Sequence, residues 1–147
     1  MVIIFVCHGN ICRSPMAEFV MKKLLAEHGI TDVSVISRAL HTDAIGCNIY
    51  SPARRVMDAH GVPYERRQAK LLTREEHDAA DMIVVMDSEN YRDAVRKFGG
   101  GKVSRLLSHA GSGADVADPW YTDDYERAYF DIERGCRGLL GELARRS

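Results

Sequence analysis

Val6-Cys7-His8-Gly9-Asn10-Ile11-Cys12-Arg13-Ser14-Pro15 joins an apolar run to an amphipathic one, and its reading decides the fold. Before it, Met1 to Val6 is continuously apolar and rich in β-branched residues, the pattern of a parallel strand buried on both faces. After it, Pro15 suits the first turn of a helix, with Ser14 as the expected N-cap. Ala17, Val20, Met21, Leu24 and Leu25 follow at helical spacing, and Gly29 supplies the left-handed stop. The order is strand, tight loop, helix.

A loop feeding a helix N-terminus presents unpaired backbone N–H groups and the positive end of the macrodipole, so its default ligand is an anion such as phosphate. Gly9 is expected to take positive φ and turn the N–H groups of residues 8 to 13 inward. Arg13 adds a planar guanidinium able to grip two phosphate oxygens. Cys7, at the end of the strand, lies under this positive field, which favours a nucleophilic thiolate. A Cys followed six positions later by Arg is a weak signal alone. Here only Cys7 has one, because the positions six after Cys12, Cys47 and Cys136 hold Glu18, Ala53 and Glu142.

The string Cys7-His8-Gly9-Asn10-Ile11-Cys12-Arg13-Ser14-Pro15 resembles the signature phosphate-binding loop (P-loop) of the low-molecular-weight protein tyrosine phosphatases, and Asp118-Pro119-Trp120 resembles that family's general-acid loop. The resemblance covers essentially the whole chain, residues 1–147, read as one domain. It implies hydrolysis of phosphotyrosine or a small aryl phosphate, with Cys7 as nucleophile, Arg13 as phosphate grip and Asp118 as general acid and base. His8, Gly9, Asn10, Ile11, Cys12 and Ser14 would bind or support the phosphate, with Ser14 hydrogen-bonded to the Cys7 sulfur. In the family a serine at the position of Ser37 bonds to the loop's Asn, here Asn10. Trp120, Tyr121 and Ile11 are candidate walls for a flat phenyl ring. Relatives acting on phosphoarginine tend to carry Thr at the Ile11 position, so Ile11 favours tyrosine. A cognate tyrosine kinase is the candidate partner, and Cys12 a candidate for a reversible disulfide with Cys7.

Departures from the family pattern fall around the second strand. Arg38-Ala39 replaces the usual Ala-Gly, leaving Arg38 either to reach an acidic substrate flank or to be solvated. Relatives often carry an aromatic pocket wall near Asp43. Arg67 stands where relatives have a buried His supporting the loop, so it either supports Asn10 differently or the support is missing.

The chain of 147 residues is 46% hydrophobic, which suits one domain with a sizeable core. Its 20 basic and 21 acidic residues give a formal charge of −1, so no global basic field marks nucleic-acid binding. The short apolar N-terminus suggests neither signal peptide nor membrane span, and a catalytic thiolate suits the cytoplasm. With no Cys-x-x-Cys pair and scattered histidines, neither metal nor other cofactor is expected.

Further strands are expected at Val33–Ile36, ending at Ser37, at Met82–Met86 and, more weakly, at Val103–Leu107. Helices are expected from Ser51-Pro52, from the Thr73-Arg74-Glu75-Glu76 capping box, over Ser88–Phe98, and along Tyr125–Leu143 with Cys136 in its core stripe. The Gly- and Ser-rich 108–117 stretch reads as a mobile loop. The alternation predicts an α/β fold: a single doubly wound domain with a four-stranded parallel sheet and helices on both faces. Ligands on such sheets bind beyond the strands' C-terminal ends, where Cys7 falls. Other readings are a phosphoarginine phosphatase or arsenate reductase on the same fold, or a non-hydrolytic phosphocarrier or phosphate-binding module. Arsenate reduction needs two further cysteines, and none lies between Arg74 and Gly101.

Overall fold

In the computed structural model, which describes residues 1–146, the apolar start forms β1 (Val2–Cys7), and the loop after it delivers α1 (Arg13–Glu27). Next come β2 (Ser34–Ala39), α2 (Ser51–Ala59), α3 (Arg74–Ala79), β3 (Met82–Val85), α4 (Ser88–Phe98) and β4 (Val103–Arg105). A 3-10 helix (Leu106–Ala110), the one-turn α5 (Pro119–Thr122) and the long α6 (Tyr125–Arg145) complete it. All strand pairs are parallel in the order β2-β1-β3-β4, so β1 is a central strand. Alternation along β1 sends Ile3, Phe5 and Cys7 into a core with α1, α2 and α6. Ile4 and Val6 point to the opposite face, with Ala94 of α4 and Leu72. Both faces are therefore covered. Among the described residues no helix is long and apolar enough to cross a membrane.

Several local expectations are corrected. Gly9 is not the left-handed residue of the loop; Asn10 is, at φ 60°. Asparagine tolerates that region because its short amide finds local partners, and Asn10 has them in Ser14 and Ser37. Ser14 is not the N-cap: the helix starts at Arg13, Cys12 occupies the cap without a side-chain hydrogen bond, and the Ser14 hydroxyl faces Cys7 and Asn10. β2 runs on to Ala39, and residues after Arg105 tighten into the 3-10 helix rather than extend β4. The capping box at Thr73 is present with both reciprocal bonds. Arg38 is neither solvated nor free for a substrate, since its guanidinium pairs with Glu76 at 2.8 Å.

The 3-10 helix lies on α6, where Gly138 leaves room for the backbone. A Cβ at Gly138 would sit 2.1 Å from the His109 carbonyl oxygen, whereas one at Gly141 would meet only the flexible end of Arg145 at 3.3 Å. Gly138→Ala should therefore cost about 1–3 kcal/mol through overpacking. Gly141→Ala should be neutral or stabilising, by up to about 1 kcal/mol of helix propensity. Urea unfolding monitored by circular dichroism checks this, and equal midpoints for the two variants would contradict it.

Candidate active site

Four of the five groups that converge at the C-terminal end of the sheet come from strand ends or the turns just after them. Cys7 ends β1, Arg13 opens α1 one loop later, Asp87 follows β3 and caps α4, and Ser37 lies in β2. The fifth, Asp118, caps α5: its Oδ1 accepts from the Trp120 N–H at 3.0 Å, which leaves Oδ2 turned to the Arg13 guanidinium. Together with His8, Gly9, Asn10, Ile11, Cys12, Trp120 and Tyr121, these groups except Ser37 line a cleft of about 390 Å³. Ser37 stands behind the loop and bonds to Asn10.

Arg13 is only 2% exposed. Its Nη1 donates to Asp87 Oδ2 at 2.6 Å and to the Val116 carbonyl at 2.8 Å, and its Nη2 to Asp118 Oδ2 at 3.3 Å. Burial works to lower its pKa, but Cys7, Asp118 and Asp87 outweigh burial and hold it above the usual value. The cation is thus permanent and aimed by two carboxylates at the floor of the cleft. Val116 is fully buried, its N–H bonds to the Met86 carbonyl and its own carbonyl accepts from Arg13, so the 108–117 stretch is tied down two residues before Asp118 rather than loose throughout.

The Cys7 Sγ receives the Asn10 backbone N–H at 3.3 Å and is hydrogen-bonded to Ser14 Oγ at 3.1 Å. Asn10 Nδ2 donates to Ser14 Oγ at 2.8 Å and to Ser37 Oγ at 3.0 Å. Arg67 resolves the alternative left by the sequence: its guanidinium donates to the Asn10 carbonyl at 2.5 Å, so an arginine supports the loop from outside. Burial lowers the Arg67 pKa, with Glu18 and Cys7 opposing. The Cys12 thiol is pushed up to about 12, by burial first and then by Cys7 and Asp118. Both loop cysteines are free thiols, and Cys136 is fully buried in the core stripe.

The pocket walls are uneven. Trp120 and Tyr121 line the cleft but remain 57% and 85% exposed, and Trp120 packs against the ring of Tyr50 at 5.2 Å. Ala44 and Asp43 also line the cleft, and Asp43 is held by His8, Nε2 to Oδ2 at 2.6 Å. That contact keeps Asp43 below the usual carboxylate range. Sequence reasoning missed Asp87 as the partner of Arg13. A helix-capping Asp and a guanidinium-orienting Asp look alike in sequence, and only its place at the end of the strand beside β1 could have marked it. The role of Glu18, which bonds to Ser37, was missed too.

A sequence profile described as low molecular weight phosphotyrosine protein phosphatase matches residues 2–147. A low molecular weight protein-tyrosine-phosphatase, PtpA of Staphylococcus epidermidis, is 32% identical over 145 residues, covering 96% of this chain and 92% of that protein. Among solved structures, the low molecular weight protein tyrosine phosphatase of Streptococcus pyogenes superposes with a TM-score of 0.87 at 32% identity, covering 97% and 92% of the two chains. YwlE, an arginine phosphatase solved as a Cys-to-Ser mutant with a phosphorylated active-site serine, superposes with a TM-score of 0.90 at 28% identity, covering 99% and 97%.

Proposed function

This chain belongs to the low-molecular-weight phosphotyrosine protein phosphatase family, and from that premise we propose that it hydrolyses phosphotyrosine through a phosphocysteine on Cys7, with Asp118 as general acid and base. The observation that carries the proposal is the meeting of Cys7, Arg13 and Asp118 around one cleft, with Arg13 bonded to Asp118 at 3.3 Å.

Phosphoryl oxygens would sit on the loop N–H groups and on Arg13, whose fork also stabilises charge spread over the three oxygens in a loose transition state. The Cys7 thiolate attacks phosphorus as the P–O bond to the phenol breaks, and Asp118 gives its proton to the departing oxygen. Asp118 then takes a proton from the water that attacks phosphorus. The S–P bond breaks, releasing phosphate and restoring the thiolate. Ser14, beside the sulfur, eases that departure. Phosphotyrosine is favoured over phosphoarginine because Ile11, Trp120 and Tyr121 offer hydrocarbon and ring surface to a phenyl group. The same surface offers a guanidinium no acceptor, so phosphoarginine would depend on the Asp43 and Glu89 carboxylates that also line the cleft. The likeness to YwlE makes phosphoarginine the competing substrate.

Phosphate release from p-nitrophenyl phosphate, phosphotyrosine and phosphoarginine, measured in reductant and EDTA, tests this reading. The expected order has phosphoarginine slowest in kcat/KM. Asp118→Ala should lower turnover of phosphotyrosine by about 10²-fold, the usual worth of a positioned proton donor. It should lower turnover of p-nitrophenyl phosphate less, because that leaving group needs little protonation. Faster phosphoarginine turnover would reassign the substrate. Phosphate binding without any turnover would instead favour the carrier or binding-module readings.

A further inference from the structure

Behind the loop, a chain of buried hydrogen bonds runs from the surface to the Cys7 sulfur. It begins at Glu18 in α1, which is 8% exposed and carries no part in the chemistry above. Lys22 covers its Oε2 at 2.6 Å, and its Oε1 receives Ser37 Oγ at 2.6 Å. Ser37 Oγ receives Asn10 Nδ2, which also donates to Ser14 Oγ, and Ser14 meets Cys7.

The direction of each bond follows from the one before. A carboxylate only accepts, so the single Ser37 proton is committed to Glu18 and Ser37 offers Asn10 a lone pair alone. That forces the Asn10 amide nitrogen, not its oxygen, toward Ser37. The amide oxygen is in turn engaged by the Lys70 N–H at 3.3 Å. Both amide protons are then used, one on Ser37 and one on Ser14. The Ser14 hydroxyl, with a lone pair occupied by Asn10, keeps its own proton for the sulfur once Cys7 is ionised.

We infer that Glu18 is a positioning residue for the phosphatase reaction: its carboxylate fixes the polarity of the Ser37–Asn10–Ser14 relay so that Ser14 donates to the Cys7 thiolate. The inference rests on the reading of Cys7 as the nucleophile. Neutral Gln at position 18 can donate as well as accept, so the Ser37 proton is no longer committed to position 18 and can oppose the Asn10 amide, loosening the hold of that amide on Ser14 although the Lys70 N–H still faces its oxygen.

The test reads Cys7 directly, as the pH midpoint of its alkylation by iodoacetamide, followed by mass spectrometry of the Cys7 peptide because the exposed Cys47 reacts as well. The ionisable groups around the sulfur, namely Cys12 and Arg13 at the start of α1, Asp118 from the α5 cap and Arg67, whose guanidinium feels both Cys7 and Glu18, remain in every variant. Glu18→Gln and Ser37→Ala should each move the midpoint up by about one pH unit, since a hydrogen bond to the charged form is lost. Each should lower kcat for p-nitrophenyl phosphate about tenfold with KM within about twofold. Lys22→Met, which removes the half-exposed ammonium but leaves the Glu18 carboxylate and its bond to Ser37, should keep kcat and midpoint near wild type. An unmoved midpoint in folded Glu18→Gln overturns the inference, even if kcat falls. If that variant does not fold, Ser37→Ala decides by the same criterion. Absence of turnover in the wild type would instead refute the phosphatase reading, and the alkylation midpoint would still report on the relay.

Discussion

Cys7→Ser is expected to abolish phosphate release from every substrate while leaving phosphate binding intact. The loss should be roughly 10⁴-fold or more, the scale seen when a covalent nucleophile is removed. The reason lies in what surrounds the sulfur. The Asn10 N–H at 3.3 Å and Ser14 Oγ at 3.1 Å can stabilise an anion, but no side chain in contact with Cys7 is placed to take a proton from a neutral hydroxyl. A thiolate is a strong nucleophile in its own right, whereas a serine hydroxyl needs a base to activate it. The oxyanion cradle itself is made of backbone and Arg13, so titration calorimetry with phosphate should give a dissociation constant close to that of the wild type. Residual turnover within tenfold of wild type would mean that water attacks phosphorus directly and Cys7 is no nucleophile.

Arg13→Lys is expected to lower kcat/KM by about 10²- to 10³-fold, the usual cost of losing one aimed donor at a developing charge. The guanidinium meets Asp87, the Val116 carbonyl and Asp118 at once, in one plane, while keeping an edge toward the cleft. An ammonium carries the charge but not the fork, and it cannot reach these acceptors and a phosphate together. The variant should also bind vanadate more weakly, so the defect should appear in both KM and kcat. A decrease of less than tenfold would show that positive charge alone suffices and that the planar geometry is unused.

The fold and much of the site were legible because they rest on local patterns. Met1 to Val6 could be little else than a buried strand, and Cys7 through Pro15 combine the residue types that an anion-binding turn requires. The Ser37 contact with Asn10 came from family resemblance and is present at 3.0 Å. The unreadable parts are pairings across the chain. Arg38 finds Glu76 in α3, Arg13 finds Asp87 beyond β3, and nothing in a charge pattern selects those partners among 41 charged residues of Lys, Arg, Asp and Glu. Two local errors have a different origin. Gly9 looked like the residue for a left-handed turn, yet Asn10 fills it because its amide gains partners there that glycine lacks. Ser14 before Pro15 has the look of a helix cap, yet the helix starts one residue earlier and the hydroxyl turns inward to the sulfur.

The contact between Arg13 and Asp118 spans 105 residues of sequence. On a translating ribosome, at about 5–20 residues per second, Arg13 is made roughly 5 to 20 seconds before its acid partner exists. During that interval the guanidinium gains its acceptors one after another, Asp87 first, then Val116 and last Asp118, and α6 is not yet there to cover α1. The cleft is therefore assembled from both ends of the chain and is incomplete until Asp118 has been made.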